Sequence, residues 1–174
     1  MKREDRNKRA FTLVEILIVL LIIGILAGSM MLVSFSVTAK AEATRIIEDM
    51  RSMKSAAMLY YADFGLWPVW MKSGTTIRDA NNRATPDKYL ESIPLRPDHW
   101  VGVAGASGDL GEATVIFVST SVTPTALERL GALGSGFPLY GMTVTGRITA
   151  IPDNPDVFDA STHNAALWYI RKDP

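Results

Sequence analysis

Glu15 is the only charge in a stretch that is otherwise apolar from Phe11 to Val33, interrupted besides only by Thr12, Gly24, Gly28 and Ser29. A charged group at bilayer depth costs roughly 2.5–3.5 kcal/mol on insertion scales for the comparable Asp, so a carboxylate kept there is a functional candidate by default. Its chemistry is that of a charge in need of a partner, because an unpaired buried charge is expensive. A second group with chemical potential is Asp153-Asn154-Pro155-Asp156-Val157-Phe158-Asp159-Ala160-Ser161. Several oxygen ligands in one loop suit Ca²⁺. The spacing is not that of an EF-hand, and Asp/Asn/Pro loops ordinarily form solvated turns.

Other constellations carry less. Gly102 to Gly111 is glycine-rich but lacks the Gly-Lys-Ser/Thr ending of a phosphate loop, and reads as a flexible connection. His99 and His163 are isolated, with no local metal-ligand spacing. No Gly-x-Ser-x-Gly elbow is present, and no carboxylate pair stands out beyond ordinary surface charge. Met50, Met53 and Met58 fall at helical spacing, which reads as core filling rather than a cofactor face. An enzyme is not expected, and no cofactor is required.

The elements that must place Glu15 begin with charge. The chain has 174 residues, with 18 basic and 18 acidic side chains. Lys2, Arg3, Arg6, Lys8 and Arg9 against Glu4 and Asp5 make the first ten residues net +3, which leaves the remainder at −3. A net acidic body is a poor match for nucleic acid. From Ile16 to Val33 the apolar run, with its flanks, is long enough for a bilayer-spanning helix. The basic leader keeps the N-terminus in the cytoplasm under the positive-inside rule. Secretory cleavage sites of the Ala-x-Ala kind do follow at Val37-Thr-Ala39, Ala39-Lys-Ala41 and Ala41-Glu-Ala43. The apolar run is longer than the 7–15 residues of a signal peptide, however, and Glu15 interrupts its start. A plain signal anchor gives Glu15 no purpose.

Arg9-Ala10-Phe11-Thr12-Leu13-Val14-Glu15 resembles the processing site of type IV pilins and the related pseudopilins of type II secretion. The resemblance implies cleavage by a prepilin peptidase between Ala10 and Phe11 and N-methylation of the new Phe11 amine. It also implies a role for Glu15, which would neutralise that amine on a neighbouring subunit inside an apolar filament core. Gly24 and Gly28 form a small-xxx-small pattern that permits close helix approach. The chain departs from the family in having Ala10 where glycine is usual, Leu32 where proline is frequent, and no cysteine to staple the C-terminal region. Tyr60-Tyr61-Ala-Asp-Phe-Gly65-Leu-Trp67-Pro68 is similar to the segment where pilin helices end, and Lys88 to Trp100 in part to a loop of major pseudopilins. Major pseudopilins also carry calcium in a C-terminal loop, which gives Asp153, Asn154, Asp156, Asp159 and Ser161 an analogue.

Beyond the membrane stretch, Ile46, Met50, Met53, Ala57, Tyr60 or Tyr61, and Phe64 recur every three or four residues. A helix from Phe11 to about Phe64 follows, about 80 Å long at 1.5 Å per residue, ended by Gly65 and Pro68. Residues 65 to 110 read as loop with short helical turns, one at residues 85–91 with Thr85 as cap and Pro86 in the first turn. Strands are expected at residues 114–120, 142–145, 147–151 and 165–171, with a short helix from Thr125 to Leu133 after Thr123-Pro124 and ended by Gly134 and Gly136. The expected class is α+β: a pilin fold with a long N-terminal helix packed on a small antiparallel sheet. The expected divisions are a cleaved leader (1–10), a membrane and filament-core half-helix (11–38), an amphipathic half-helix (39–64) and a globular head (65–174).

The function implied is a structural subunit of a type IV pilus or pilus-like filament, a homopolymer of identical subunits. Its precursor would span the inner membrane once, with the N-terminus in the cytoplasm. It would be served by the peptidase/methyltransferase and an inner-membrane assembly platform, and the filament would be extracellular or periplasmic. The alternative is a signal-anchored or secreted binding domain with no assembly role.

Overall fold

The computed structural model describes residues 11–105, 113–133, 136, 139–146, 148, 151 and 156–170, with residues 32–35 and 105 described by their backbone alone. Its contacts divide the chain into two units, with the boundary between Thr38 and Ala39. Helix α1, Leu13–Phe64, supplies residues to both. Up to Thr38 it is long and apolar enough to cross a membrane, and none of that apolar window is buried by the rest of the chain. Such a surface has to be covered by lipid or by other helices.

In the C-terminal unit, α1 buries one stripe: Ala39, Ala43, Ile46, Met50, Met53, Ala57 and Tyr60. The three-and-four spacing of the sequence is therefore the core face. Tyr60 takes the inward place and Tyr61 stays half-buried, its ring stacked on Trp67 at 4.5 Å. Met58 is a correction: it is 45% exposed, because it lies one residue round the helix from the stripe at Ala57. The helix ends after Phe64 because Gly65 adopts φ 68°, and its N–H donates to the carbonyl of Tyr61 at 2.8 Å. That left-handed conformation is the common stop of an α-helix.

Among the described residues the stripe packs on an antiparallel sheet of six strands in the order β2-β1-β3-β4-β6-β5. These are β1 (Trp70–Ser73), β2 (Thr76–Asp79), β3 (His99–Gly105), β4 (Ala113–Ser119), β5 (Tyr140–Met142) and β6 (Ala165–Ile170). One face contributes Val101, Val103, Val115, Phe117 and Ala166 to the core shared with α1 and with helix α2, Pro124–Leu133. The other face carries a second cluster of Trp100, Ala104, Ile116, Val118, Ala165 and Leu167, covered by Met71, Leu95, Met142 and Ile151 among others. Strand β4 is central and buried on both faces, which is why its sequence is a continuous apolar run rather than an alternating one. The class is α+β, as expected.

Several local expectations are corrected. Residues 65–110 are not mainly loop, since β1, β2 and β3 lie there. β1 and β2 are four-residue strands of a hairpin whose outer positions are polar, and the glycines of β3 hid a strand. Gly102 is required in β3 because a side chain there would run into the Trp70 carbonyl oxygen and the Trp100 ring. The 142–145 strand is instead 140–142. Past Met142, Val144 has both backbone groups taken by the Asn164 side chain, N–H to Oδ1 at 2.7 Å and carbonyl from Nδ2 at 2.8 Å. An amide side chain thus stands where a ladder partner would. Of the strand expected at 147–151, Ile148 and Ile151 are described and belong to no strand, and the rest lies outside the described residues. At the 3₁₀ turn Pro86–Lys88, Pro86 opens the turn as expected, but the Thr85 side chain makes no capping bond. Helix α2 starts at Pro124, one residue early, and the Thr123 hydroxyl donates to Glu42 on α1 at 3.0 Å.

Candidate functional site

The start of α1 is a reciprocal cap. Glu15 Oε2 accepts from the Thr12 backbone N–H and from the Thr12 hydroxyl, both at 2.9 Å, and Thr12 Oγ1 accepts from the Glu15 N–H at 3.2 Å. This is the capping box, which satisfies helix-start donors that have no partner within the helix. The Thr12-x-x-Glu15 spacing announces it, yet only a charge role was expected of Glu15. Phe11 precedes the cap at 81% exposure. Gly24 and Gly28 lie four residues apart, with no atom within 4 Å of a side chain built at either. Among the described residues no packing contact demands glycine there. Ala10 lies outside the described residues.

The calcium expectation divides in the same way. Asp153 and Asn154 lie outside the described residues. Asp156 is exposed, and its carbonyl accepts from the Gly141 N–H at 2.7 Å. Asp159 Oδ1 accepts from the Ser161 N–H and hydroxyl, both at 2.8 Å. Those two bonds, led by the backbone one, hold the Asp159 carboxyl below its ordinary range. Among the described residues no group of three acidic or imidazole side chains could hold a metal. Asp159 and Ser161 form an Asx turn of their own.

Two buried polar centres in the C-terminal unit carried no signal in the sequence. Asp79, at the end of β2, is 6% exposed and accepts four hydrogen bonds. They come from the Tyr60 hydroxyl at 2.8 Å and from the backbone N–H groups of Asn81, Arg83 and Ala84 at 3.0–3.2 Å. The second centre corrects the view of His99 as isolated. His99 is 1% exposed, with Nε2 3.2 Å from Asp49 Oδ2. Arg96 grips the same carboxylate in a bidentate pair, Nε at 2.8 Å and a terminal nitrogen at 3.0 Å. His99 Nδ1 lies 3.1 Å from Asp98 Oδ2, but off the line of a hydrogen bond, so that nitrogen is close to a charge without being bonded to it. The other histidine, His163, accepts the Asp159 N–H at Nδ1.

These centres fasten the α1 stripe to the sheet. Asp79→Ala leaves the Tyr60 hydroxyl and three amides without their acceptor, and is expected to cost roughly 2–4 kcal/mol. Tyr60→Phe, which removes one donor, is expected to cost about 1 kcal/mol. Urea unfolding of the C-terminal unit measures both.

Acid should act at the same places. Burial pushes the Asp79 carboxyl up, but the Arg83 amide, the Tyr60 hydroxyl and the other two amides together hold it below its ordinary value. Burial likewise raises Asp49, and the His99 and Arg96 contacts outweigh it. A carboxylate with a depressed folded-state value confers stability that is complete above its unfolded value of about 3.9. That stability is lost as pH falls through the folded-state value. The melting temperature should therefore be insensitive to these groups above about pH 5 and drop below about pH 4, less steeply in Asp79→Asn.

An α+β domain on a membrane-length N-terminal helix, opened by a carboxylate-bearing cap, is the class these observations define. Residues 5–37 match the family described as the prokaryotic N-terminal methylation motif, and residues 38–101 that described as PilW, C-terminal. The type IV major pilin protein PilE of Neisseria gonorrhoeae is 33% identical over 88 residues, 51% of each chain. The fimbrial protein EcpC of Eikenella corrodens is 29% identical over 115 residues, 66% of each. The solved structure of the major type IV pilin PilA1 from Clostridium difficile has 17% identity and a TM-score of 0.47, over 77% of this chain and 97% of that one. Over residues 5–101 the chain is similar to the type IV pilin and pseudopilin family. It spans about half the length of the first curated relatives it matches.

Proposed function

We propose that this chain is a structural subunit of a type IV pilus or pilus-like filament, and that it carries no catalytic role. The carrying observation is a carboxylate in the first turn of a membrane-length helix whose apolar side chains, from Leu13 to Met31, are exposed throughout. In the precursor that surface sits in lipid, with the basic leader on the cytoplasmic side. After cleavage between Ala10 and Phe11 the α-amine of Phe11 is free, and it is methylated. A free α-amine is cationic near neutral pH, its pKa being about 7.7–8. Glu15 of an adjacent subunit neutralises it. Gly24 and Gly28 let neighbouring helices approach closely, and the C-terminal unit forms the outer surface as the head.

The partners in this reading are identical subunits, a prepilin peptidase/methyltransferase, and an inner-membrane assembly platform. The filament lies outside that membrane, and no cofactor takes part. Intact-mass and N-terminal sequencing of material from the producing cell test the reading. The expected mature chain begins at N-methylated Phe11. An uncut leader, or a start near Glu42 or Thr44, would instead indicate a signal-anchored or secreted binding domain.

A further inference from the structure

The sheet of the head has two outer edges, and the fold sets opposite charge at them. At one edge is β2, with Arg78 on the strand and Arg83 in the turn that follows. Both are exposed, and among the described residues neither makes a salt bridge. Arg83 lies 5.6 Å over the Phe64 ring. Asp79, next to Arg78 in sequence, is buried and already takes four hydrogen bonds, so it is not a partner for either guanidinium group.

The opposite edge is β5, five strand spacings away, about 24 Å at 4.8 Å each. The segment running into Phe158 lies along it, with Val157 bridged to Tyr140 and the Phe158 N–H donating to the Leu139 carbonyl at 3.0 Å. Between this segment and α2 is an open groove of about 550 Å³. Leu127, Gly131 and Phe158 give it an apolar floor, and Glu128 and Asp159 stand at its rim. Both carboxylates are exposed and, among the described residues, without a salt bridge. Asp159 uses one oxygen for Ser161, so the other is open.

Two complementary patches at opposite edges of one sheet do not meet within a chain. Between copies they meet head to tail, a contact that repeats without closing. Arginine suits such a groove, because its aliphatic stem covers an apolar floor while its guanidinium reaches carboxylates at the rim. We propose that the Arg78/Arg83 edge of one head docks into the Glu128/Asp159 groove of the next copy and fixes the register between neighbouring heads. This rests on the subunit reading above and names the contact that the heads would make.

The chain has no cysteine, so introduced pairs report the contact without background. Full-length Arg83→Cys/Glu128→Cys, assembled in the producing cell and oxidised, is expected to run as a ladder of covalent multimers on a non-reducing gel. Each single substitution should run without one. In parallel, Glu128→Arg places like charges at the contact and should lower the yield of sheared filaments by about tenfold or more. Adding Arg83→Glu to the same chain should restore most of that yield. Normal filaments with no ladder, or with Glu128→Arg indistinguishable from the parent, would overturn the contact while leaving the subunit reading intact. A parent chain that makes no filaments would overturn the subunit reading itself, and this contact with it.

Discussion

Glu15→Gln is expected to enter the membrane at least as well as the parent and to make almost no filaments. Two effects act in the same direction. Removing a charge at bilayer depth relieves up to about 2.5–3.5 kcal/mol in the membrane-resident state. On the proposed pairing with the Phe11 amine, removing Glu15's charge leaves that amine uncompensated in the filament, at about 3–5 kcal/mol. Together they displace the equilibrium from filament to membrane by well over two orders of magnitude. Glutamine is the informative replacement because Glu15 also closes the capping box with Thr12. Glutamine still serves in a capping box, so Glu15→Gln removes the charge and keeps the cap. Thr12→Val does the reverse, at about 1 kcal/mol. Filament yield by shearing and membrane content by fractionation separate the roles. If Thr12→Val abolished filaments and Glu15→Gln did not, the cap would be the function and the pairing argument would fail.

How far the residues revealed this molecule depended on the range of the interactions involved. The α1 stripe was legible because its period repeats from Ile46 to Tyr60, and each member lies three or four residues from the last. β4 and β6 were legible because β-branched and aromatic runs mark buried strands. The β1–β2 hairpin was not, since four-residue strands at a sheet edge carry little pattern. β3 looked like a glycine-rich loop, although Gly102 is there because a strand crosses the Trp70 carbonyl closely. Asp79 and Asp49 could not be found from local spacing. The Tyr60–Asp79 bond spans 19 residues, and the Asp49 bonds to Arg96 and His99 span 47 and 50. Only the fold brings those groups together. Thr12 and Glu15 were the opposite case, a local signature in full view whose capping half was masked by the charge argument.

A chain beginning at Ala39 is expected to be a soluble, monomeric head that melts as one unit and forms no filaments. The buried apolar residues among those described begin at Ala39 itself, so the shortened chain keeps every one of them. It loses Leu13, Val14, Ile16 to Ile23, Ile25, Leu26, Met30 and Met31, all exposed in the single chain. Each such side chain gains about 1.5–3 kcal/mol when fully covered, so the segment holds tens of kcal/mol that only lipid or other helices can release. Exposed ion pairs of the kind proposed between head edges contribute about 0–1 kcal/mol each. They can select a register, but they are too weak to replace the cohesion proposed for the apolar helix. Sedimentation and electron microscopy of the shortened chain, beside the full chain at the same concentrations, decide the matter. Fibres of pilus-like diameter from that head alone would move the cohesion out of residues 11–38 and into the head, and the apolar helix would then be a membrane anchor only.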